Sequence, residues 1–315
     1  MLCPHLKLLY IRLFIKLKIL TNSPIYFNKT RLAPTPSGFL HVGNILSFAV
    51  TAALARKHGA KILLRIDDLD RARLTPEYLA DIFDTLRFLE IPWDEGPANP
   101  DDFEAAFSQV HRMQLYNAAL DELKQKGAIF ACTCSRKQLT EAGSCNCIDK
   151  NIPLDTPEAS WRLRTDDSEL SAKSYSGEII VSQLPLEMKH FVVRKKDGFP
   201  AYQLTSLIDD LFYGVDLIVR GQDLWHSTLA QLALAKALDK NSFGEVVFYH
   251  HALLLESSGQ KLSKSAGSTS VRFMRMNGKN DKDVFEQISG LVHANSCIGN
   301  WSELGELLLS RQSGY

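Results

Sequence analysis

The sequence predicts an α/β protein built on a doubly wound parallel sheet, and three observations carry that prediction. A short apolar strand, Ile25 to Leu32, runs through a Pro/Ser/Gly turn into an apolar helix from Val42 to about Lys57, and the apolar run Lys61–Ile66 follows. A strand, helix and strand in that order form a right-handed parallel βαβ unit. The same alternation returns late in the chain as helix Tyr202–Phe212, strand Val215–Arg220, helix Leu224–Leu238 and strand Glu245–Tyr249. Between the two halves lies a polar, irregular stretch with clustered cysteines, which reads as an insertion. In sheets of this kind ligands bind outside the carboxyl ends of the strands.

Taken in order, residues 1–22 form a basic, apolar extension. Lys7, Arg12, Lys16 and Lys18 interrupt it every few residues, whereas a spanning helix needs ~20 mostly apolar residues. It is basic and acid-poor like a targeting peptide but lacks Ser and Arg richness, so an accessory extension or an upstream start is the preferred reading. Gly59 suits the C-cap of the first helix. Thr75 and Pro76 open a second helix, with Leu79, Ile82, Phe83, Leu86 and Leu89 at helical spacing. Trp93 to Pro97 reads as a turn, Phe107 to Lys126 as a helix, and Ala159 to Arg164 and His190 to Arg194 as strands, the latter returning to the core. The expected organisation is therefore residues 23–94 and 186–275 as the nucleotide-binding domain, 95–185 as the insertion, and 276–315 as a short helical tail.

The chain has 315 residues, 45% hydrophobic and 23% charged, with zero formal net charge. No global field draws it to nucleic acid, so any RNA contact must come from a local patch and shape. The charge is uneven, since no Asp or Glu precedes Asp67. Four of the six cysteines cluster, with no secretory cleavage pattern, and a reducing cytoplasm is the simplest setting.

Three constellations can carry chemistry. At the first strand-turn-helix, His41, Gly43 and Asn44 occupy a helix mouth where backbone N–H groups and the positive helix end receive phosphate. Far downstream, Lys261 and Lys264 flank Ser263 in a glycine-bounded loop, a cationic arm suited to charge developing on a phosphate leaving group. Cys132, Cys134, Cys145 and Cys147 form two close pairs, and four thiolates from two short hairpins suit tetrahedral zinc. Two disulfides or four free thiols are the alternatives.

Together, the stretch from Arg31 through Ala33-Pro-Thr35-Pro-Ser-Gly38 to His41 and Gly43, and the later Lys261-Leu-Ser-Lys264-Ser265, resemble the paired signatures of class I aminoacyl-tRNA synthetases of the glutamyl branch. The resemblance spans about residues 25–275 and implies a Rossmann-like catalytic domain with a zinc-binding insertion, Mg²⁺ accompanying ATP, and an ATP site at His41, Gly43, Asn44 and Lys264. It further implies glutamate contacts from Arg31, Ala33, Thr35, Asp67, Tyr202 and Arg220. Asp67 stands where the family carries a Glu that meets the substrate's amino group, one methylene longer. In some family members a tyrosine or histidine replaces one of the cysteine ligands.

About fifty residues follow the lysine loop, fewer than an anticodon-binding domain needs. With Arg65-Ile-Asp-Asp-Leu-Asp70, this resembles the glutamyl-queuosine tRNA(Asp) synthetase subgroup, which implies ATP-dependent activation of L-glutamate and its transfer to the queuosine base of tRNA(Asp). The expected protein is a cytoplasmic monomer with no membrane partner. A truncated conventional glutamyl-tRNA synthetase charging the 3′ end of tRNA(Glu), and a non-catalytic tRNA-binding paralogue, are the alternatives. Intact His41, Gly43, Lys261 and Lys264 weigh against the last.

Overall fold

A computed structural model describes residues 16–20 (backbone alone), 26–135, 137–139, 145–254, 270–294 and 298–312. In chain order the strands are β1 (Lys16–Leu20), β2 (Lys29–Leu32), β3 (Lys61–Leu64), β4 (Ile129–Cys132), β5 (Ser160–Leu163), β6 (Leu170–Ser174), β7 (Glu178–Ser182), β8 (Val192–Arg194), β9 (Leu217–Gly221) and β10 (Val247–His251). The longer helices are α1 (Val42–His58), α2 (Pro76–Phe88), α3 (Met113–Gln125), α4 (Tyr202–Phe212), α5 (Trp225–Ala237), α6 (Val271–Met276), α7 (Asp281–Leu291) and α8 (Trp301–Gln312). The chain divides into two compact units, one of residues 26–113, 215–223 and 249–315, the other of 1–25, 114–214 and 224–248.

In the unit of residues 26–113, 215–223 and 249–315, β2 and β3 pair in parallel, Arg31 opposite Leu63 and Leu32 opposite Leu64. The pairing runs on beyond the strands, because the Arg65 N–H donates to the Leu32 carbonyl and the Asp67 N–H to the Pro34 carbonyl, each at 2.9 Å. On the other side of β2 lies β9, fixed by the Thr30 hydroxyl on the Leu217 carbonyl (2.9 Å) and by Asp216, which accepts from the Asn28 and Lys29 N–H groups at 2.8 Å each. These bonds bring Arg31 and Arg220 to neighbouring strand ends. Thr75 caps α2 on the Tyr78 N–H at 3.2 Å, as its sequence predicts.

Helix α1 is buried on almost every side, which its alanine-rich, weakly amphipathic sequence permits. One cover is α8, whose Gly305 lies so close that a Cβ there would sit 2.3 Å from the Ala53 methyl and 2.9 Å from the Ala49 carbonyl oxygen. No larger residue fits that crossing without moving a helix. The tail is thus packed structure over 271–294 and 298–312, with α7 opened by an Asn280–Asp283 capping box.

The other unit holds two sheets. In one, β6 and β7 form an antiparallel hairpin, Ala172 opposite Ile180, with β1 pairing antiparallel beyond β7. Val247 and Phe248 pair in parallel with Lys173 and Ser174. This hairpin falls in a stretch that reads as irregular from the sequence. Its buried positions, Leu170 and Ala172, alternate with polar residues over too few positions to stand out. The second sheet has the order β4-β5-β8, all antiparallel. Val192–Arg194, read from the sequence as a return to the core, pairs here with Trp161 and Arg162 instead. The helix expected over 107–126 begins as α only at Met113, after a π-helical turn at Phe103–Phe107 and a 3-10 turn at Gln109–Arg112. The reason is Asp68, a buried carboxylate that accepts from the Ser108 hydroxyl (2.6 Å) and the Gln109 N–H (2.7 Å) and so fixes that backbone. No helix among the described residues is long and apolar enough to cross a membrane.

Candidate active site

His41 is the N-cap of α1. Its Nδ1 accepts from the Gly43 N–H at 3.1 Å, while the Asn44 side chain accepts from the His41 N–H at 3.1 Å, a reciprocal capping box. With Nδ1 accepting, the proton of the neutral ring resides on Nε2, which makes that nitrogen a donor. The helix mouth therefore joins an imidazole donor to the positive end of a 17-residue helix, the chemistry of an anion site.

Gly43 has a second reason to lack a side chain. A Cβ there would lie 2.9 Å from His41 Cε1 and 3.0 Å from Nδ1. Gly43→Ala should displace the imidazole and break the cap, costing about 1 kcal/mol of stability and on the order of tenfold or more in nucleotide affinity, each 1.4 kcal/mol being tenfold. Calorimetric titration with a non-hydrolysable ATP analogue beside a thermal melt checks both, and wild-type affinity would show that the ring position does not matter.

Around this mouth the strand ends present charge. Arg31 is buried at the end of β2, its Nη1 3.4 Å from the Val219 carbonyl on β9. Arg220 is buried one residue further along β9. Burial, together with the neighbouring Arg220 and His251, pushes His250 down to about 3, so the imidazole beside Arg220 is neutral at physiological pH. His251 is also held neutral by burial. Its Nδ1 lies 2.9 Å from the Ala252 carbonyl and its Nε2 2.6 Å from the Ser47 hydroxyl, a bond that pins α1 to the end of β10. Ala33 is half-buried and Thr35 exposed on the turn that follows β2.

Asp67, expected to meet the substrate's ammonium, also has a partner within the protein. Its carboxylate is gripped by Arg65, Nε to Oδ1 at 2.8 Å and Nη2 to Oδ2 at 3.1 Å, with both side chains buried. Residues two apart in extended chain share a face, which lets the two side chains meet. A carboxylate has about four acceptor sites, so bidentate pairing leaves capacity for a further donor.

Lys261 and Lys264 lie outside the described residues. Their segment re-enters at Ser270, which bridges to His41. Tyr202 belongs to the other unit, where it is the first residue of α4 and 44% exposed. Asp209, on the same helix, is buried and accepts from the Tyr116 hydroxyl at 2.6 Å, a packing role.

The cysteine cluster also lies in that unit. Cys132 ends β4, and Cys147 opens a 3-10 turn. The four Sγ atoms lie within 4.8 Å of one another, at 3.3 Å for Cys132–Cys145, 3.8 Å for Cys134–Cys145 and 3.5 Å for Cys134–Cys147. None of the four is joined in a disulfide, their sulfurs lying well beyond the ~2.05 Å of an S–S bond. A tetrahedral zinc with bonds of about 2.3 Å has sulfur–sulfur edges of about 3.8 Å, so the cluster fits that ion. Burial works against ionising Cys132, but hydrogen bonds from Cys145 and Cys134 and the Arg162 guanidinium outweigh it and bring the thiol down to about 7. Burial pushes Cys145 up to about 12. Bringing all four to thiolates takes a bound cation.

The family model of the class I tRNA synthetases (E and Q), catalytic domain, matches residues 28–152 and 156–293. A glutamyl-Q tRNA(Asp) synthetase of Rhodobacter capsulatus is 30% identical over 282 residues, covering 81% of this chain and 97% of that protein. One of Nitratidesulfovibrio vulgaris is 35% identical over 273 residues, 79% of this chain and 81% of that protein. Glutamate–tRNA ligase 2 of Syntrophus aciditrophicus is 30% identical, but the chain spans only 54% of its length. Among solved structures, the glutamate-tRNA synthetase of Elizabethkingia anophelis superposes with a TM-score of 0.68 at 19% identity, over 89% of this chain and 65% of that one, a likeness of fold. The chain belongs to the class I tRNA synthetases of the glutamate and glutamine branch, aminoacyl-tRNA ligases, and carries their α/β catalytic domain.

Proposed function

We propose that this ligase activates L-glutamate with ATP and transfers it to the queuosine base of tRNA(Asp). The observation that carries glutamate is the pair of buried arginines, Arg31 and Arg220, on adjacent strand ends of the unit whose first helix opens at His41. A planar guanidinium fork suits a carboxylate, and a glutamine pocket has less use for a buried cation. The tRNA(Asp) acceptor rests on relatives of that name, of which the chain spans 79–97%.

In this reading the glutamate α-carboxylate attacks the α-phosphorus of ATP in line. A new P–O bond forms, the bond to the β-phosphate oxygen breaks, and pyrophosphate leaves. His41 Nε2–H and the N–H groups of the α1 mouth bind phosphate oxygens, and Lys261 and Lys264 neutralise the departing pyrophosphate. Arg31 and Arg220 receive the substrate's side-chain carboxylate, Asp67 meets its ammonium end, and Ala33 and Thr35 line the turn. Magnesium supplies charge neutralisation on ATP. A tRNA hydroxyl then attacks the mixed anhydride and releases AMP. ATP–pyrophosphate exchange without tRNA tests the first half. Exchange should depend on glutamate and be at least tenfold weaker with glutamine, each tenfold being about 1.4 kcal/mol, and equal rates would refute the pocket.

Cys132, Cys134, Cys145 and Cys147 hold one structural zinc in this reading, and metal analysis of the purified protein should return one per chain. Cys132→Ser should lower the zinc content and impair glutamate transfer more than adenylate formation. Finding no metal, with all four thiols titratable, would end the assignment.

A further inference from the structure

The segment that carries Lys261 and Lys264 leaves the described residues after Leu254 and re-enters at Ser270, and the re-entry is attached to the His41 turn at several points. His41 and Ser270 form an antiparallel bridge, and the Val271 N–H donates to the Leu40 carbonyl at 2.9 Å. The Arg272 guanidinium lies 4.6 Å over the Phe39 ring. Arg275 Nη2 meets Asp81 Oδ1 at 2.5 Å.

Asp81 belongs to neither segment. It sits on α2 with its side chain fully buried. The same carboxylate accepts from the backbone N–H of Leu40, the residue before His41, and lies 3.4 Å from the Thr85 hydroxyl one turn along. One buried group therefore joins the His41 turn to the helix that begins where the lysine segment ends. We propose that Asp81 and Arg275 are a positioning pair that fixes the root of the lysine segment, Ser270, against the phosphate-binding mouth at His41.

This rests on reading His41 and the lysines as phosphate-binding groups. The physical case is that cations on a loop stabilise a leaving group only if the loop's root is held, because a misplacement of about 1 Å costs about a hundredfold in rate. Of the attachments, Arg272 on Phe39 is a ring contact without a buried partner charge, and the backbone bonds need both segments already in place. The Asp81–Arg275 pair is the charge-assisted one, its carboxylate is fully buried and its guanidinium partly so, and it acts on both segments at once.

The test uses Asp81→Asn, which keeps an acceptor for the Leu40 N–H and loses the charge, and Arg275→Met. Amide hydrogen exchange and ATP–pyrophosphate exchange are measured on both variants and on the double variant. Exchange of amides in 39–44 and in 270–276 should rise together, and kcat should fall about tenfold or more while the KM for glutamate stays within about twofold. The double variant should be no worse than the poorer single, as for two halves of one unit. Faster amide exchange confined to 270–276, or an unchanged kcat in variants that merely melt at lower temperature, would overturn the proposal. A wild-type protein without glutamate-dependent exchange would defeat the functional reading separately, and the amide-exchange arm would still decide the coupling.

Discussion

His41→Ala should lower glutamate-dependent ATP–pyrophosphate exchange at least about a hundredfold, because it removes the donor proposed for the transferring phosphate oxygens, a class of group worth ~3–4 kcal/mol. It also removes the acceptor that caps the Gly43 N–H, so a stability loss of about 1 kcal/mol accompanies it. The two effects separate with His41→Ser. A serine caps a helix well, and this variant should recover the melting temperature while exchange stays near the alanine level. Recovery of exchange by serine would mean that His41 serves the helix rather than the nucleotide.

Arg220→Leu should lower kcat/KM for glutamate by about a hundredfold to several thousandfold, the consequence of leaving the substrate carboxylate without the cation proposed for it, ~3–5 kcal/mol. The KM for ATP should move little. Discrimination against glutamine should shrink in the same variant, because the cation no longer rewards the carboxylate over the amide. Steady-state exchange kinetics with each amino acid in turn measure all three quantities. A normal glutamate KM, with only the melting temperature lowered, would reassign Arg220 to packing beside His250.

What the sequence makes legible here is local. The helix start at Val42, the stop at Gly59 and the start at Thr75 each depend on a few neighbouring residues, and each lies where periodicity and capping chemistry put it. The cysteine cluster was visible for the same reason, since two pairs at close spacing need only one loop closure. Elements that depend on distant partners were not visible. Asp68 shapes a backbone forty residues away, and nothing near Ser108 announces that its helix must begin late. The β6–β7 hairpin owes its place to parallel pairing with Val247 and Phe248, a partner its own short, polar alternation does not reveal. Packing of α8 on α1 is readable only once Gly305 meets Ala49 and Ala53.

The candidate site divides in the same way. Residue types were legible because phosphate, carboxylate and thiolate chemistry each restrict the choice, but their pairing was not. Arg65 makes Asp67 half of a buried ion pair, and so changes what an ammonium would find there. Asp81 carried no signal at all in the sequence, being one acidic residue on an amphipathic helix.

The central claim is the acceptor. Queuosine's cyclopentene carries neighbouring hydroxyls much as a terminal ribose does, and an unstacked anticodon-loop base is the usual kind of target for RNA recognition. The direct measurement is transfer of labelled glutamate to tRNA(Asp) with queuosine, to tRNA(Asp) without it, and to tRNA(Glu), with the labelled fragment mapped by nuclease digestion. The account predicts label on queuosine-containing tRNA(Asp) alone, within the anticodon fragment. Label on the 3′ end of tRNA(Glu), with none on tRNA(Asp), would contradict it.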